Sequence, residues 1–214
     1  MNNEFTNVLG DAVSKLTLVK LNSLKPIEKV MPTHLQYISS QIEQTQYINK
    51  PLIIDKNHHI ILDGSHRYAY LKSKGYSYAP VILVDYDSNL IGVGTNLMHR
   101  LTNQNNSTIT KNDIIKKALN NELFEPRTTR HFFPFKKSDN PIQIDKLIKT
   151  QKQCIDYLIS NTTIEEEIIC NQNYINEIEN ELKIEHKCTQ EQLQTKKYLQ
   201  NQINNMEKLI LNPL

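Results

Sequence analysis

The sequence of 214 residues predicts an α+β fold, in which helices flank a small mixed sheet and an α-helical tail follows. Short apolar runs at 52–54, 60–62 and 80–84 are rich in β-branched residues, which favour strands. The segment that begins at Pro32 instead has apolar residues at helical spacing. From residue 142 onward, Ile and Leu recur at helical spacing among Gln, Asn and Glu, which predicts helices.

Pro, Gly and clusters of polar residues mark the ends of these elements. The predicted elements are, in order, a strand at 16–24, a helix from Pro32, a hairpin of 52–54 with 60–62, a helix from Ser65 to Gly75, strands at 79–86 and 90–93, and a helix from the cap Thr110 to about 121. The 90–93 strand is expected to pair beside the 79–86 strand.

Composition and charge divide the chain into three regions. Residues 1–15 are predicted to form an N-terminal arm, 16–140 the main domain, and 141–214 the helical tail. Residues 1–140 carry 17 Lys/Arg against 12 Asp/Glu, whereas residues 141–214 carry 8 against 11. The tail has two apolar registers, which predict a helical hairpin or an interrupted, coiled-coil-like arrangement and packing in a homodimer or on a protein partner. These registers are Ile175, Ile178 and Leu182, and Leu199, Ile203, Met206 and Ile210.

Several functional classes are disfavoured by composition. The net charge is only +2, but residues 1–140 have a surplus of five positive charges (17 against 12), which suits a nucleotide or another small anion better than the long phosphate backbone of DNA. The sequence has no apolar run of membrane-spanning length, and its first residues lack the features of a signal peptide. We therefore expect a cytoplasmic location and no membrane partner. Cys154, Cys170 and Cys188 lack the spacing of a zinc site or a disulfide framework and are expected to be reduced.

The segment 63–67, which reads DGSHR, is the strongest local signal for chemistry. It joins a predicted strand to a predicted helix, and the first amides of a helix form an anion site. Ser65 is expected to cap that helix, while Gly64 permits a ligand to approach closely. Asp63, His66 and Arg67 add a carboxylate, an imidazole and a guanidinium, so phosphate is the expected ligand. The alternative is an ordinary strand-to-helix corner with a solvated arginine.

The order of the motifs resembles that of a known superfamily. The segment 18–28, the hairpin, the 63–67 corner and the strand at 80–84 together resemble the ParB/sulfiredoxin superfamily, whose N-terminal domain is ParB-like. Within it, the chain is most similar to the free L-serine kinases, because a helix at 110–115 precedes the segment 126–135, PRTTRHFFPF, which is similar to that family's closing motif. The resemblance covers about residues 16–148.

This resemblance implies a catalytic domain over residues 16–140 that transfers phosphate from ATP or ADP to the hydroxyl of free L-serine, giving O-phospho-L-serine. It implies Mg²⁺ as cofactor, with Asp63 as its ligand. The implied catalytic residues are Glu28, which takes the serine proton, Asp63 and His66. The implied nucleotide- and phosphate-binding residues are Gly64, Ser65, His66 and Arg67. The implied serine-binding residues are Thr128, Thr129, Arg130 and His131. Ser65 departs from the archaeal kinases, which usually have a second histidine there.

Other functions remain as alternatives. A ParB-like, CTP-dependent DNA-binding or partition protein would have paired arginines where Arg67 and Tyr68 stand, and a basic recognition helix that residues 137–214 do not provide. A sulfiredoxin-like reductase would need a cysteine at Ser65. A catalytically inactive nucleotide sensor is the third alternative, and nucleic acid is not expected as a partner.

Overall fold

The computed structural model describes residues 16–95, 109–135, 140–185 and most of 196–207. They form two compact units, of which the first ends at Ser160 and the second follows it. The predicted α+β class is confirmed. The elements are β1 (Thr17–Lys20), α1 (Pro32–Thr45), β2 (Tyr47–Ile48), β3 (Leu52–Asp55), β4 (Ile61–Asp63), α2 (Ser65–Ser73), β5 (Tyr78–Val84), β6 (Gly92–Thr95), α3 (Lys111–Leu119), β7 (Thr129–Phe132), β8 (Ile142–Gln143) and α4 (Ile164–Glu185), with short 3-10 helices at Leu21–Ser23, Ile144–Lys146 and Asp156–Leu158.

The main sheet is small and mixed, with the strand order β1-β5-β3-β4. Strand β5 is antiparallel to β1 and parallel to β3, so that Val81 lies opposite Thr17 on one side and Leu52 on the other. Strands β3 and β4 form the predicted antiparallel hairpin. The hairpin brings the end of β4, and therefore the 63–67 corner, to the edge of the sheet.

Both faces of the sheet are covered. Because strand side chains alternate, Leu52 and Ile54 pack into one apolar cluster and Ile53 into the other. The first cluster contains side chains from α1 and α2, and the second contains side chains from α3. Helix α3 begins as predicted, since Thr110 and Asp113 form a reciprocal capping box.

The prediction that 90–93 pairs beside 79–86 is wrong. Strand β6 forms an antiparallel ribbon with β7 instead, in which Val93 lies opposite His131. Both edges of β5 are already occupied, by β1 and β3, so β5 offers no hydrogen-bonding edge to another strand.

The helical tail also starts later in the chain than the predicted residue 141. Residues 142–143 form β8, which pairs with β2, and Leu147 and Leu158 are buried in the first apolar cluster. The backbone amide of Val30 donates to the carbonyl of Leu158 at 2.7 Å. Residues 141–160 therefore belong to the first unit, and its boundary lies at Ser160 rather than at residue 140.

The second unit contains α4 and further helical positions within 196–207. Ile175 of α4 packs with Leu199 and Ile203, and Lys196 forms an ion pair with Glu179 at 2.5 Å. The two registers thus contact each other, as a helical hairpin requires. Its role as a separate domain stays a prediction.

Some predicted features lie outside the described residues, namely the N-terminal arm at 1–15, Cys188 and the side chains of Ile178, Leu182 and Ile210. Within the described residues, neither Cys154 nor Cys170 forms a disulfide. No helix in the described part of the chain is long and apolar enough to cross a lipid bilayer.

Candidate active site

The 63–67 corner turns on Gly64. This residue has φ of 105° and occupies the N-cap position of α2, so Ser65 is the first helical residue and the prediction that it caps the helix is wrong. Only glycine readily adopts this left-handed backbone, and a Cβ there would lie 3.0 Å from Cγ of Leu52 and 3.1 Å from Nη2 of Arg67. Glycine is therefore required at this corner, because the side chains of Leu52 and Arg67 fill the space that a Cβ would need.

Arg67 braces this corner. Its guanidinium donates to the backbone carbonyls of Lys50 and Pro51, and to Oδ2 of Asp63 at 3.2 Å. The side chains of Arg67 and Asp63 are 16% and 30% exposed, so solvent or a ligand reaches both. The predicted phosphate-binding arginine thus also holds Asp63 and the chain that leads into β3.

Asp63 is also the predicted Mg²⁺ ligand. Among the described residues, no group of three or more His, Cys, Asp or Glu could hold a metal ion. A single carboxylate fits Mg²⁺ that is shared with nucleotide phosphates, because this ion usually keeps several waters and takes one or two protein carboxylates. Asp63, partly exposed at the end of β4, is suited to that mode of binding.

His66 lies in the first turn of α2 and is held from the opposite side. Its Nε2 accepts the backbone amide of Met31 at 3.1 Å. Burial, with the nearby His34, Arg127 and Arg67, lowers the pKa of His66 well below its usual value. A neutral imidazole that accepts at Nε2 carries its proton on Nδ1, so His66 is a hydrogen-bond donor at Nδ1 and not an imidazolium.

His34, in the first turn of α1, was not predicted as a site residue. Its ring meets that of His66 edge to face, with centroids 4.3 Å apart. Burial, followed by the charges of Arg127 and Arg67, lowers the pKa of His34 to about 4. Two neutral imidazoles therefore lie together beside the corner. Nothing in the local sequence distinguishes His34 from any polar residue early in a helix.

Glu28 lies three residues before Met31, in a segment that is held on both sides. This segment pairs with Phe124 at Glu28 and with Ile159 at Val30. One carboxylate oxygen of Glu28, Oε1, accepts the backbone amide of Thr129 at 2.5 Å and the Thr129 hydroxyl at 2.7 Å. Burial nevertheless outweighs these hydrogen bonds and raises the pKa of Glu28 to about 7.

The predicted serine-binding segment divides along β7. Thr129 faces Glu28, and Nε2 of His131 lies 2.9 Å from the hydroxyl of Tyr86. The hydroxyl of Thr128 instead donates to the carbonyl of Glu125 within the preceding turn. Arg130 alternates to the opposite, exposed face, where its guanidinium lies over the ring of Phe132.

The structure therefore brings most of the predicted residues into one connected set. Asp63 contacts Arg67, His66 is joined through Met31 to the Glu28 segment, and Glu28 contacts Thr129. The structure does not place Arg130 with them, and the hydroxyl of Thr128 supports the turn.

Comparisons with known proteins were made on sequence and on fold. No model of a known protein family matches the chain. An ATP-dependent L-serine kinase of Staphylothermus marinus is 32% identical over 80 residues, which are 34% of this chain and 31% of the kinase. A ParB-like protein of Sulfolobus acidocaldarius is 37% identical over 81 residues, which are 37% of this chain and 39% of that protein. The chain thus spans about a third of the length of these curated relatives.

The likeness of fold extends further along the chain. A free serine kinase with one glutamate replaced by alanine, in complex with ADP, superposes with a TM-score of 0.55 at 15% identity, covering 63% of this chain and 95% of that chain. A conserved hypothetical protein from Pyrococcus furiosus gives the same TM-score and identity, covering 63% of this chain and 98% of that chain. The chain therefore has the fold of the free serine kinases and shares part of its sequence with ATP-dependent L-serine kinases and a ParB-like protein, which confirms the resemblance seen in its motifs.

Proposed function

We propose that this chain is a free L-serine kinase that transfers a phosphoryl group from ATP or ADP to the serine hydroxyl and forms O-phospho-L-serine. The observation that carries this proposal is the carboxylate of Glu28, whose pKa is raised to about 7 and which hydrogen bonds hold at Thr129. Phosphoryl transfer needs an oriented nucleophile and neutralised charge more than it needs covalent catalysis.

Glu28 acts in this proposal as the proton acceptor. A general base is most effective when its pKa lies near the working pH, because it is then both ionised and basic. Burial gives Glu28 this property, whereas an ordinary glutamate is a weaker base. Its bonds to Thr129 fix the carboxylate, so that a serine hydroxyl beside it is oriented as well as deprotonated.

The 63–67 corner binds the phosphates of the nucleotide. The first amides of α2 and the Nδ1 proton of His66 donate to phosphate oxygens, and the left-handed backbone of Gly64 sets the start of this helix. Asp63 would hold Mg²⁺, which when bound offsets the negative charge of the phosphates. Arg67 keeps the Asp63 carboxylate in place through its hydrogen bond.

The β7 segment binds the amino-acid end of serine. Thr129 and His131 lie on one face of β7, and Thr129 contacts the proposed base. A serine whose hydroxyl lies at Glu28 would therefore extend along this face. The second unit is proposed to serve contact with another copy or a protein partner.

Two functions compete with this proposal, namely nucleotide-dependent DNA binding and nucleotide sensing without catalysis. The sequence similarity to a ParB-like protein is the observation that favours them. Neither function requires a partly buried base with a pKa near neutrality. Phosphorylation of a small alcohol therefore separates these functions from the kinase.

The test is incubation of the purified full chain with L-serine, Mg²⁺ and ATP, ADP or CTP in turn, followed by mass spectrometry for O-phosphoserine. L-Alanine, which lacks the hydroxyl, is the matched control acceptor. Nucleotide-dependent formation of O-phosphoserine with ATP or ADP supports the proposal. Nucleotide binding without transfer to serine or any other small alcohol would overturn it in favour of the sensor.

A further inference from the structure

Tyr86 contacts His131, which is one of the predicted serine-binding residues. It lies two residues after β5 ends, its side chain is 1% exposed, and its hydroxyl is 2.9 Å from Nε2 of His131. The two rings are tilted at 54° with centroids 5.5 Å apart. This contact joins the end of a main-sheet strand to the separate β6–β7 ribbon.

Tyr86 is itself held firmly. The ammonium of Lys111 donates to the backbone carbonyls of Tyr86 and Ser88, at 2.7 Å each, and lies over the Tyr86 ring at 5.2 Å from its centroid. Lys111 is the first residue of α3, which its capping box anchors. The ring also packs among the residues of the second apolar cluster. The phenol therefore has little freedom to move away from His131.

The direction of the hydrogen bond follows from the chemistry of the two groups. A phenol has one proton to donate, and in the described part of the chain Nε2 of His131 is the acceptor placed to receive it. If Tyr86 instead accepted from a protonated Nε2, its own buried proton would lose that acceptor, which is costly. When Tyr86 donates to Nε2, a neutral His131 ring carries its proton on Nδ1.

We propose that Tyr86 is a positioning residue for serine recognition, because it fixes the ring orientation and the tautomer of His131 on the face of β7 that carries Thr129. This inference rests on the proposed kinase function. Residues two apart on a strand are roughly 7 Å apart, so His131 lies near the Glu28 contact of Thr129 without occupying it. Tyr86 acts on serine binding through His131 and leaves the nucleotide corner unchanged.

The test compares Tyr86→Phe, His131→Ala and the double variant in the full chain. Tyr86→Phe keeps the packed ring but loses one hydrogen bond, so it is expected to raise KM for L-serine up to about tenfold, with KM for the nucleotide unchanged. Because Tyr86 acts through His131, the double variant is expected to be no worse than His131→Ala. Tyr76→Phe is the matched control, because it also removes the hydroxyl of a buried tyrosine, but one that lies away from β7. It should leave KM for serine unchanged.

A second readout is independent of activity. Nitrogen-15 NMR of the histidine rings should show His131 protonated on Nδ1 in the wild-type protein and a mixture of tautomers in Tyr86→Phe. An Nε2-protonated His131 in the wild type would overturn the inference even if the variant did not fold, and so would an equal rise in KM when Tyr86→Phe is added to His131→Ala. If the wild type phosphorylated no serine, the kinase proposal would fail while the NMR result still decided whether Tyr86 fixes His131.

Discussion

Glu28 and Thr129 are 101 residues apart in the chain, yet one oxygen of the Glu28 carboxylate accepts both the backbone amide and the hydroxyl of Thr129. These bonds favour the charged carboxylate and burial opposes it, and the balance leaves the pKa of Glu28 at about 7. The proposed base is thus adjusted by the same segment that is proposed to bind serine.

Removal of the Thr129 hydroxyl should change the basicity of Glu28. Thr129→Val keeps the shape of the side chain and the backbone bond but loses the hydroxyl bond that lowers the pKa. Loss of this bond should raise the pKa of Glu28 by about one unit, because a hydrogen bond to a charged group contributes about 1.5 kcal/mol or more. The acidic limb of the pH profile of kcat/KM for serine phosphorylation should therefore move to higher pH by the same amount. Thr129→Ser, which keeps the hydroxyl, is the control. The prediction would be contradicted if the acidic limb of the pH profile lay at the same pH in both variants.

The pKa of Glu28 also predicts a dependence of stability on pH. Because the folded state raises this pKa from 4.5 to about 7, folded protein binds the proton more tightly than unfolded protein does. Glu28 therefore contributes at most about 3 kcal/mol to the free energy of unfolding. This contribution is fully present below about pH 4.5 and is lost as the pH rises through about 7. His34 and His66, whose pKa values are lowered, act in the opposite direction.

The measurement must therefore isolate Glu28 from these histidines. Denaturant unfolding of the wild type and Glu28→Gln at pH 5 and pH 8 does so, because the difference between the two proteins cancels the histidine contributions. Glu28→Gln should gain stability relative to the wild type between pH 5 and pH 8. The same difference at both pH values would show that the pKa of Glu28 is not raised.

Local patterns in the sequence predicted the elements that carry the site but not all of their long-range pairings. The hairpin, the corner at 63–67 and the capped helix α3 follow from side-chain alternation, Gly and capping residues, which act over a few positions. The pairing of β6 with β7 and of β8 with β2 depends on which sheet edges are occupied, and no local pattern records this. The contacts of His34 and Tyr86 were missed for the same reason, since each meets a histidine that is distant in sequence.

The backbone of Gly64 is a specific point of failure for the nucleotide corner. Gly64→Ala places a Cβ 3.0 Å from Leu52 and 3.1 Å from Arg67 on a left-handed backbone, so it should cost about 1–3 kcal/mol and displace Arg67. Gly75→Ala is the control, because Gly75 also has a left-handed φ, 79°, and a Cβ there would be even more crowded, at 2.8 Å from the carbonyl oxygen of Thr150, but away from the 63–67 corner. Calorimetric titration with ADP below the melting temperature of both variants should show weaker binding for Gly64→Ala alone. Equal affinity in the two variants would contradict this role of Gly64.

The boundary at Ser160 predicts which truncation the kinase tolerates. A chain of residues 1–160 keeps Leu158 in the core and keeps the bond from the Val30 amide to the Leu158 carbonyl, close to Glu28. It should keep the melting temperature of the first unit and the serine kinase activity. A chain of residues 1–149 loses both contacts and should be less stable by about 2–5 kcal/mol, as for deletion of a buried leucine. Equal thermal stability and activity in the two truncations would place the boundary nearer residue 140 after all.

The most direct test of the proposed catalytic role of Glu28 is the single-turnover rate of O-phosphoserine formation in Glu28→Gln. Glutamine keeps the size of the side chain and can still accept a bond from Thr129, but it removes the negative charge and most of the basicity. Loss of a general base should slow the reaction about 100- to 10,000-fold, equivalent to about 3 to 5 kcal/mol, with nucleotide affinity unchanged. Formation of O-phosphoserine at the wild-type rate by Glu28→Gln would contradict the assignment of Glu28 as the base.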